Sequence, residues 1–212
     1  MITNVIPKID DRQDRFIDLI EIKDLLVRER YYRDTANWAG LRKCYHPNAT
    51  KTVVNISWYN GDIDGFVSGS EETSARGVQG SHGITPVEIH FNSRRDKAVS
   101  ESSGELRIGV VIEDGSYTLT SYVRFISRLE RDDNRWYMLS FEAIYDNDKL
   151  VADFPSNKMP STGPLPGSRK SYGITSWVLG LSNLTINQDL PGTDRPESVK
   201  ETMERHFGWL DD

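Results

Sequence analysis

Along the first third of the chain apolar residues recur at intervals of three and four, and along the middle third they alternate with polar ones. Phe16, Leu19, Ile20, Leu26 and Val27 fall on one stripe at helical spacing, which predicts an amphipathic helix over about residues 11–34. Asp10, three residues before Gln13, resembles a capping box at its start. Asn37 can cap a second helix that runs through Trp38, Leu41 and Tyr45 until Pro47 stops it. Residues 52–59 are rich in β-branched and aromatic side chains and read as a strand. Asn60-Gly61-Asp62 then turns the chain into a glycine-interrupted third helix near 62–76.

From Ile84 the period drops to two. Val87, Ile89 and Phe91 alternate with Glu88 and His90, and Leu106, Ile108, Val110 and Ile112 repeat the pattern. Asp114-Gly115 supplies a tight turn into a strand over 117–129, and Asp132-Asp133-Asn134 another into a strand over 136–145. Helices first and a meander of strands second predict an α+β domain, in which a curved, mostly antiparallel sheet wraps the helices on one face. The space between sheet and helices is a natural pocket.

The domain is read as residues 1–150. Beyond Asp153 the segment with Pro155, Pro160, Gly163, Pro164, Pro166 and Gly167 reads as a linker. Residues 151–212 are thus a Pro/Gly-rich linker and a C-terminal extension, with Tyr172, Trp177, Val178 and Leu181 in a short apolar element. Pro196-Glu197 opens an amphipathic helix carrying Val199, Met203, Phe207 and Leu210 on one face. That face has three places to go: the mouth of the pocket, a neighbouring subunit, or its own domain as a packing strap.

Composition narrows the function. With 212 residues, 37% hydrophobic and 27% charged, the chain can bury a sizeable core. A net charge of -6 with no basic stripe argues against nucleic acid as a partner. Met1-Ile-Thr-Asn-Val-Ile-Pro-Lys lacks the apolar run of a signal peptide, and no stretch approaches membrane-spanning length. The expectation is a cytoplasmic protein without a membrane partner. Cys44, the only cysteine, leaves no internal disulfide or thiolate cage, and sits in the helical pattern as a small core hydrophobe. His82 and His90 would share a face of a regular strand, but eight strand residues span roughly 26 Å, so they cannot hold one ion. No metal is expected. Neither a phosphate-binding glycine loop nor a nucleophile elbow is present.

The candidate chemistry lies in Asp34 and His82. Asp34 ends Tyr31-Tyr32-Arg33-Asp34 at the negative end of the first helix, where a carboxylate is disfavoured. His82, between Ser81 and Gly83, opens a strand. A carboxylate orients an imidazole and raises its basicity, so the two together can form a general-base dyad. Plainer roles compete: Asp34 pairing with Arg30 or Arg33 or capping the next helix, and His82 sitting in a surface turn.

Asp34, Asn37-Trp38-x-x-Leu41, Tyr45-His46-Pro47-Asn48-Ala49, His82 and Leu129-Glu130-Arg131-Asp132-Asp133-Asn134-Arg135-Trp136 follow one another in an order that resembles SnoaL-like proteins of the nuclear transport factor 2 superfamily. The resemblance covers roughly residues 10–150. It implies a cone-shaped α+β barrel with a largely apolar cavity, enzymes that usually need no cofactor, and dimers or trimers. Scytalone dehydratase, bile-acid 7α-dehydratase and hexachlorocyclohexane dehydrochlorinase use a helix Asp with a strand His, which the resemblance carries onto Asp34 and His82. Tyr31 shares a helix face with Asp34 and could polarise a substrate carbonyl. Trp38 of the motif and Glu105, a match for a sheet acid of bile-acid dehydratase, complete the substrate-binding candidates.

Departures are equally visible. Arg33 stands where the dehydratases carry a tyrosine, and residues 101–129 contain no histidine. Ser140-Phe141-Glu142 stands where the dehydrochlorinase has an arginine. Glu105 or Glu142 could replace the histidine, as in the polyketide cyclases, if either pointed inward. The resulting expectation is a cofactor-independent, dehydratase-like lyase or isomerase for a small, mostly apolar, oxygenated molecule. Its alternative is a non-catalytic ligand-binding module or structural subunit, like the β subunits of ring-hydroxylating dioxygenases.

Overall fold

In the computed structural model, which describes residues 9–154 and 160–211, the chain follows the expected order of helices before sheet. The Asp10 capping contact, the leader reading of residues 1–8 and Pro155 of the linker lie outside the described residues or side chains. Helices α1 (Ile9–Asp34), α2 (Trp38–Cys44) and α3 (Ile63–Ala75) are joined through the short strands β1 (Val53–Ile56) and β2 (Tyr59–Gly61). Asn37 Oδ1 accepts from the Gly40 N–H at 3.0 Å and Asp62 Oδ1 from the Gly65 N–H at 2.9 Å, so both later helices begin at side-chain caps. Helix α2 ends at Cys44, before Pro47, because Tyr45 bridges to Met138 in the sheet.

Strands β3 (Gly80–Phe91), β4 (Lys97–Ile112), β5 (Gly115–Asp132), β6 (Arg135–Met138) and β7 (Ser140–Ala152) form the meander. The seven strands make one curled, unclosed sheet in the order β2-β1-β7-β5-β4-β3, with β6 on the end of β5. Only β1 and β7 run parallel. Asp132 pairs with Arg135 across Asp133 (φ 46) and Asn134 (φ 60), the two positive-φ residues of a twist-matched hairpin turn. The earlier turn is shifted one residue from expectation. Ile112 pairs with Gly115, so Glu113-Asp114 turns the chain and Gly115 already belongs to β5.

Helix α1 buries a different face from the one its apolar stripe suggests. Asp18, Ile22, Leu25, Leu26, Glu29, Arg30 and Arg33 are buried, at helical spacing, whereas Phe16, Ile20 and Val27 are exposed. The buried face carries four charged residues, which is why apolarity alone misidentifies it. Each charge but one is met directly. Asp18 accepts from Trp136 Nε1 at 3.1 Å and pairs with Arg131. Glu29 pairs with Arg30 and accepts from Tyr45 Oη at 2.8 Å, and the Arg30 guanidinium lies 4.0 Å from the Phe141 ring centre.

The C-terminal extension divides between the two faces of the sheet. Helix α4 (Gly173–Leu181) packs Val178 and Leu179 into the inner core, held by its Thr175 N–H on Asp148 Oδ2 at 2.6 Å. Helix α5 (Pro196–Asp211) lies on the outer face, where Val199, Met203, Phe207 and Leu210 cover Val99, Ile126 and Ile144. Beneath it Glu142 accepts two hydrogen bonds from Arg205, at 2.7 and 2.8 Å, and one from His206 Nε2 at 2.8 Å. Burial pushes the Glu142 carboxyl up, but these donors outweigh it and hold the group well below the usual carboxylate range. No described helix is long and apolar enough to cross a membrane.

The inward face of α1 sets a first expectation. Ile22→Ala should lower unfolding free energy by about 2–4 kcal/mol, whereas Ile20→Ser should stay within about 0.5 kcal/mol of wild type. Urea denaturation of the two variants checks this, and equal losses would contradict the assignment of faces.

Candidate active site

The inner surface of the cone contains a cavity whose empty space, counting the part open to solvent, is about 650 Å³. Its wall is largely apolar: Val123, Phe125, Phe141 and Ala143 from β5 and β7, Leu106 and Ile108 from β4, Trp58, and Leu179 from α4. The polar groups that break this surface are Arg30 and Arg33 of α1, Ser57, Thr73, Ser121, Tyr145 and His82. An apolar pocket with a few convergent polar groups is the usual form of a small-molecule site.

Strand parity explains which residues reach the cavity. His82 pairs with Leu106, which lines it, and Gly83 pairs with Glu105 on the opposite face. A bulge between Pro86 and Glu88 adds a residue to β3 and reverses the parity beyond it. His90 therefore packs on Phe207 of α5 at 5.1 Å between ring centres, while His82 faces inward. The expectation that His82 and His90 share a face is thus corrected by one extra residue. Among the described residues no three His, Cys, Asp or Glu side chains cluster to hold a metal ion.

Asp34 and His82 meet twice. Asp34 Oδ2 accepts from the His82 backbone N–H at 2.6 Å, and Asp34 Oδ1 lies 2.6 Å from His82 Nδ1. An ionised carboxylate can only accept, so Nδ1 carries the proton in this contact. Nε2 then has its lone pair free, with no protein partner among the described residues, on a side chain that lines the cavity. Neither Arg30 nor Arg33 takes Asp34 as an ion-pair partner. Burial lowers the His82 pKa below its ordinary value; the Asp34 hydrogen bond opposes this, while Arg30 and Arg33 lower it further. A ring in this state is neutral at pH 7 and able to accept a proton.

The substrate-binding candidates lie elsewhere. Tyr31 is 62% exposed on the outside of α1. Trp38 is partly buried against the core rim and does not line the cavity. Glu105 projects from the outer face of β4 and pairs with Arg107 at 2.9 Å. Glu142 is one residue out of phase with Phe141 and Ala143 and faces α5. For Tyr31, Glu105 and Glu142 a neighbour on the helix or strand has the inward position: Arg30, Leu106, and Phe141 with Ala143.

Sequence reasoning missed Tyr145 and the inward turn of Arg33. Tyr145 Oη accepts from the Ser57 N–H at 2.9 Å, and burial pushes its pKa up to about 12, so the phenol keeps a proton to donate. Its signal was only the alternation Phe141, Ala143, Tyr145, which gives a common face but not its direction. Arg33 had a clearer one, the spacing Glu29, Arg30, Arg33, which continues the buried row Ile22, Leu25, Leu26.

The SnoaL-like domain profile matches residues 14–142. Among solved structures, a type 2 hexachlorocyclohexane dehydrochlorinase (LinA) superposes with a TM-score of 0.58 and 15% identity, covering 70% of this chain and 99% of its own. A Novosphingobium aromaticivorans protein assigned as a scytalone dehydratase gives 0.54 and 14%, over 73% and 99%. A Mycobacterium tuberculosis protein of unknown function gives 0.51 and 16%, over 82% and 99%. At these identities the structures establish the shared fold. No curated protein matches the chain.

The coupling of the two residues is measurable. In wild type the ring of His82 should titrate below 6.5, and Asp34→Asn should move its midpoint lower still, because the carboxylate is what raises it. Chemical shifts of labelled histidine followed against pH check the sign. An unchanged or raised midpoint in the variant would mean the pair is not electrostatically coupled.

Proposed function

The chain belongs to the SnoaL-like domain family, and from that premise we propose that it is a cofactor-independent, dehydratase-like lyase or isomerase for a small, mostly apolar, oxygenated molecule. The observation that carries this reading is the double contact between Asp34 and His82, which leaves Nε2 free on the wall of an apolar cavity. The named dehydrochlorinase and dehydratase of similar fold add support. The cavity beside the dyad speaks against a structural subunit with a filled interior, and turnover is what separates this reading from that of a binding module.

The chemistry follows from the state of the ring. Nε2 of neutral His82 removes a proton from the carbon beside a substrate carbonyl, and Asp34 holds the ring and stabilises the imidazolium that forms. Tyr145, whose oxygen is already held by Ser57, donates its O–H to the carbonyl oxygen as charge gathers there. In elimination the C–H electron pair becomes a new C=C bond, the C–O bond to the β-hydroxyl breaks, and the proton on Nε2 leaves with that hydroxyl as water. In isomerisation the same proton returns to a different carbon. One residue serves as base and then acid.

Cyclic β-hydroxy ketones and enones, incubated with the protein in D₂O and followed by proton NMR, test this directly. Wild type should exchange the proton beside the carbonyl or release water to give a vinylic signal. His82→Gln should reduce the rate by about 10²–10⁴. The wild-type rate should rise with pH through the His82 midpoint, below 6.5, and level off above it. A His82→Gln rate equal to wild type would sink the reading.

A further inference from the structure

Arg33 is the charge on the buried face of α1 that the protein does not answer. Its side chain lines the cavity, and the residue is only 9% exposed. Arg30, one turn away, is neutralised by Glu29 and stacked on Phe141. The Arg33 guanidinium has no hydrogen bond and no ion pair within 4 Å among the described residues. Asp34 and Glu29 act on it only at longer range, with Asp34 already engaged by both polar groups of His82.

A guanidinium whose stem is buried and whose nitrogens open onto a largely apolar cavity, with no protein anion beside it, is a ready partner for an anionic ligand that enters that cavity. Its planar fork matches a carboxylate in particular, which can accept two parallel N–H bonds. We infer that the cavity is built for a substrate carrying a carboxylate, which Arg33 anchors beside the dyad while the apolar body of the molecule lies against Val123, Phe125, Phe141 and Leu179. This deepens the proposed function and rests on the same cavity, but it does not depend on His82 acting as a base.

The remaining charges of the site are consistent with an anionic guest. Glu29 is covered by Arg30 and Tyr45, and Asp34 turns both oxygens toward His82. No unpaired carboxylate is therefore left on the wall to repel it. Burial lowers the Arg33 pKa, and Arg30 lowers it further; a bound carboxylate would reverse that direction. The cavity offers an aromatic reporter as well, since Trp58 is part of its lining.

The test compares 2-naphthoate with 2-naphthamide, near-isosteric probes that differ in charge, by calorimetry and by the fluorescence change of the full-length protein at pH 7.5. In wild type the carboxylate should bind at least tenfold more tightly than the amide. Arg33→Met should reduce that preference to threefold or less, and Arg33→Lys, which keeps the charge but not the fork, should retain part of it. His82→Gln should leave the preference in place. Equal affinities in wild type, no binding of either probe at millimolar concentration, or a preference that survives Arg33→Met would overturn the inference. The wild-type comparison decides the matter even if the Met variant fails to fold. If the preference holds but the His82 variant turns over substrates as fast as wild type, the anion site stands and the catalytic reading falls. If both probes move the His82 ring signal equally without a preference, the anion site falls, while the catalytic reading is still decided by the rate of the His82 variant.

Discussion

A carboxylate taken partly out of water has to be met by donors or a cation, and Asp34 is met on both oxygens by a single residue on another element. That contact ties the last turn of α1 to the first residues of β3, across the open end of the curled sheet. It fixes the ring through one nitrogen and frees the other. Because the same backbone N–H that β3 would expose at its start goes to the carboxylate, the contact also positions the strand from which the cavity wall begins. Without it the negative end of the helix would carry an unanswered negative charge.

The sheet supplies the rest by parity. Inward residues of β4, β5 and β7 make the apolar wall, and outward residues of the same strands, Val99, Ile126 and Ile144, meet α5, so one strand lines the cavity on one face and packs on the other. Glu142 illustrates how firmly the phase is set. Its carboxylate is buried, paired and hydrogen-bonded, yet it lies on the convex side as the clasp for Arg205 and His206. The bulge in β3 makes the same point in reverse. One inserted residue sends His90 outward to α5 and leaves His82 within.

Much of the architecture was legible in the sequence because period and turn chemistry are local. The cap at Asn37, the turn through Asn60-Gly61-Asp62 into α3, the Asp133-Asn134 hairpin and the amphipathic α5 all follow from nearby residues. That Asp34 and His82 should meet was legible too, from a carboxylate at the wrong end of a helix and an isolated histidine at the start of a strand. What could not be read was direction. Tyr31, Glu105 and Glu142 were sensible by type, but each sits one position from the residue that points inward, and a single-residue change of phase cannot be extracted from alternation alone. The α1 stripe misled for a different reason: its buried face holds charges satisfied by distant residues, and its exposed face holds Phe16, Ile20 and Val27. The division of the tail, α4 against the cavity and α5 on the outer face, depends on contacts far along the chain.

The state of the His82 ring is where these strands of the account converge, since a base needs the proton on Nδ1 and the lone pair on Nε2. Two-bond proton–nitrogen correlation of the ¹⁵N-labelled His82 ring at pH 7 reads that state directly. The structure predicts the neutral Nδ1–H form, with a strongly hydrogen-bonded Nδ1 proton and an unprotonated Nε2. The neutral Nε2–H form, or an imidazolium at that pH, would leave the cavity without a base and contradict the central claim.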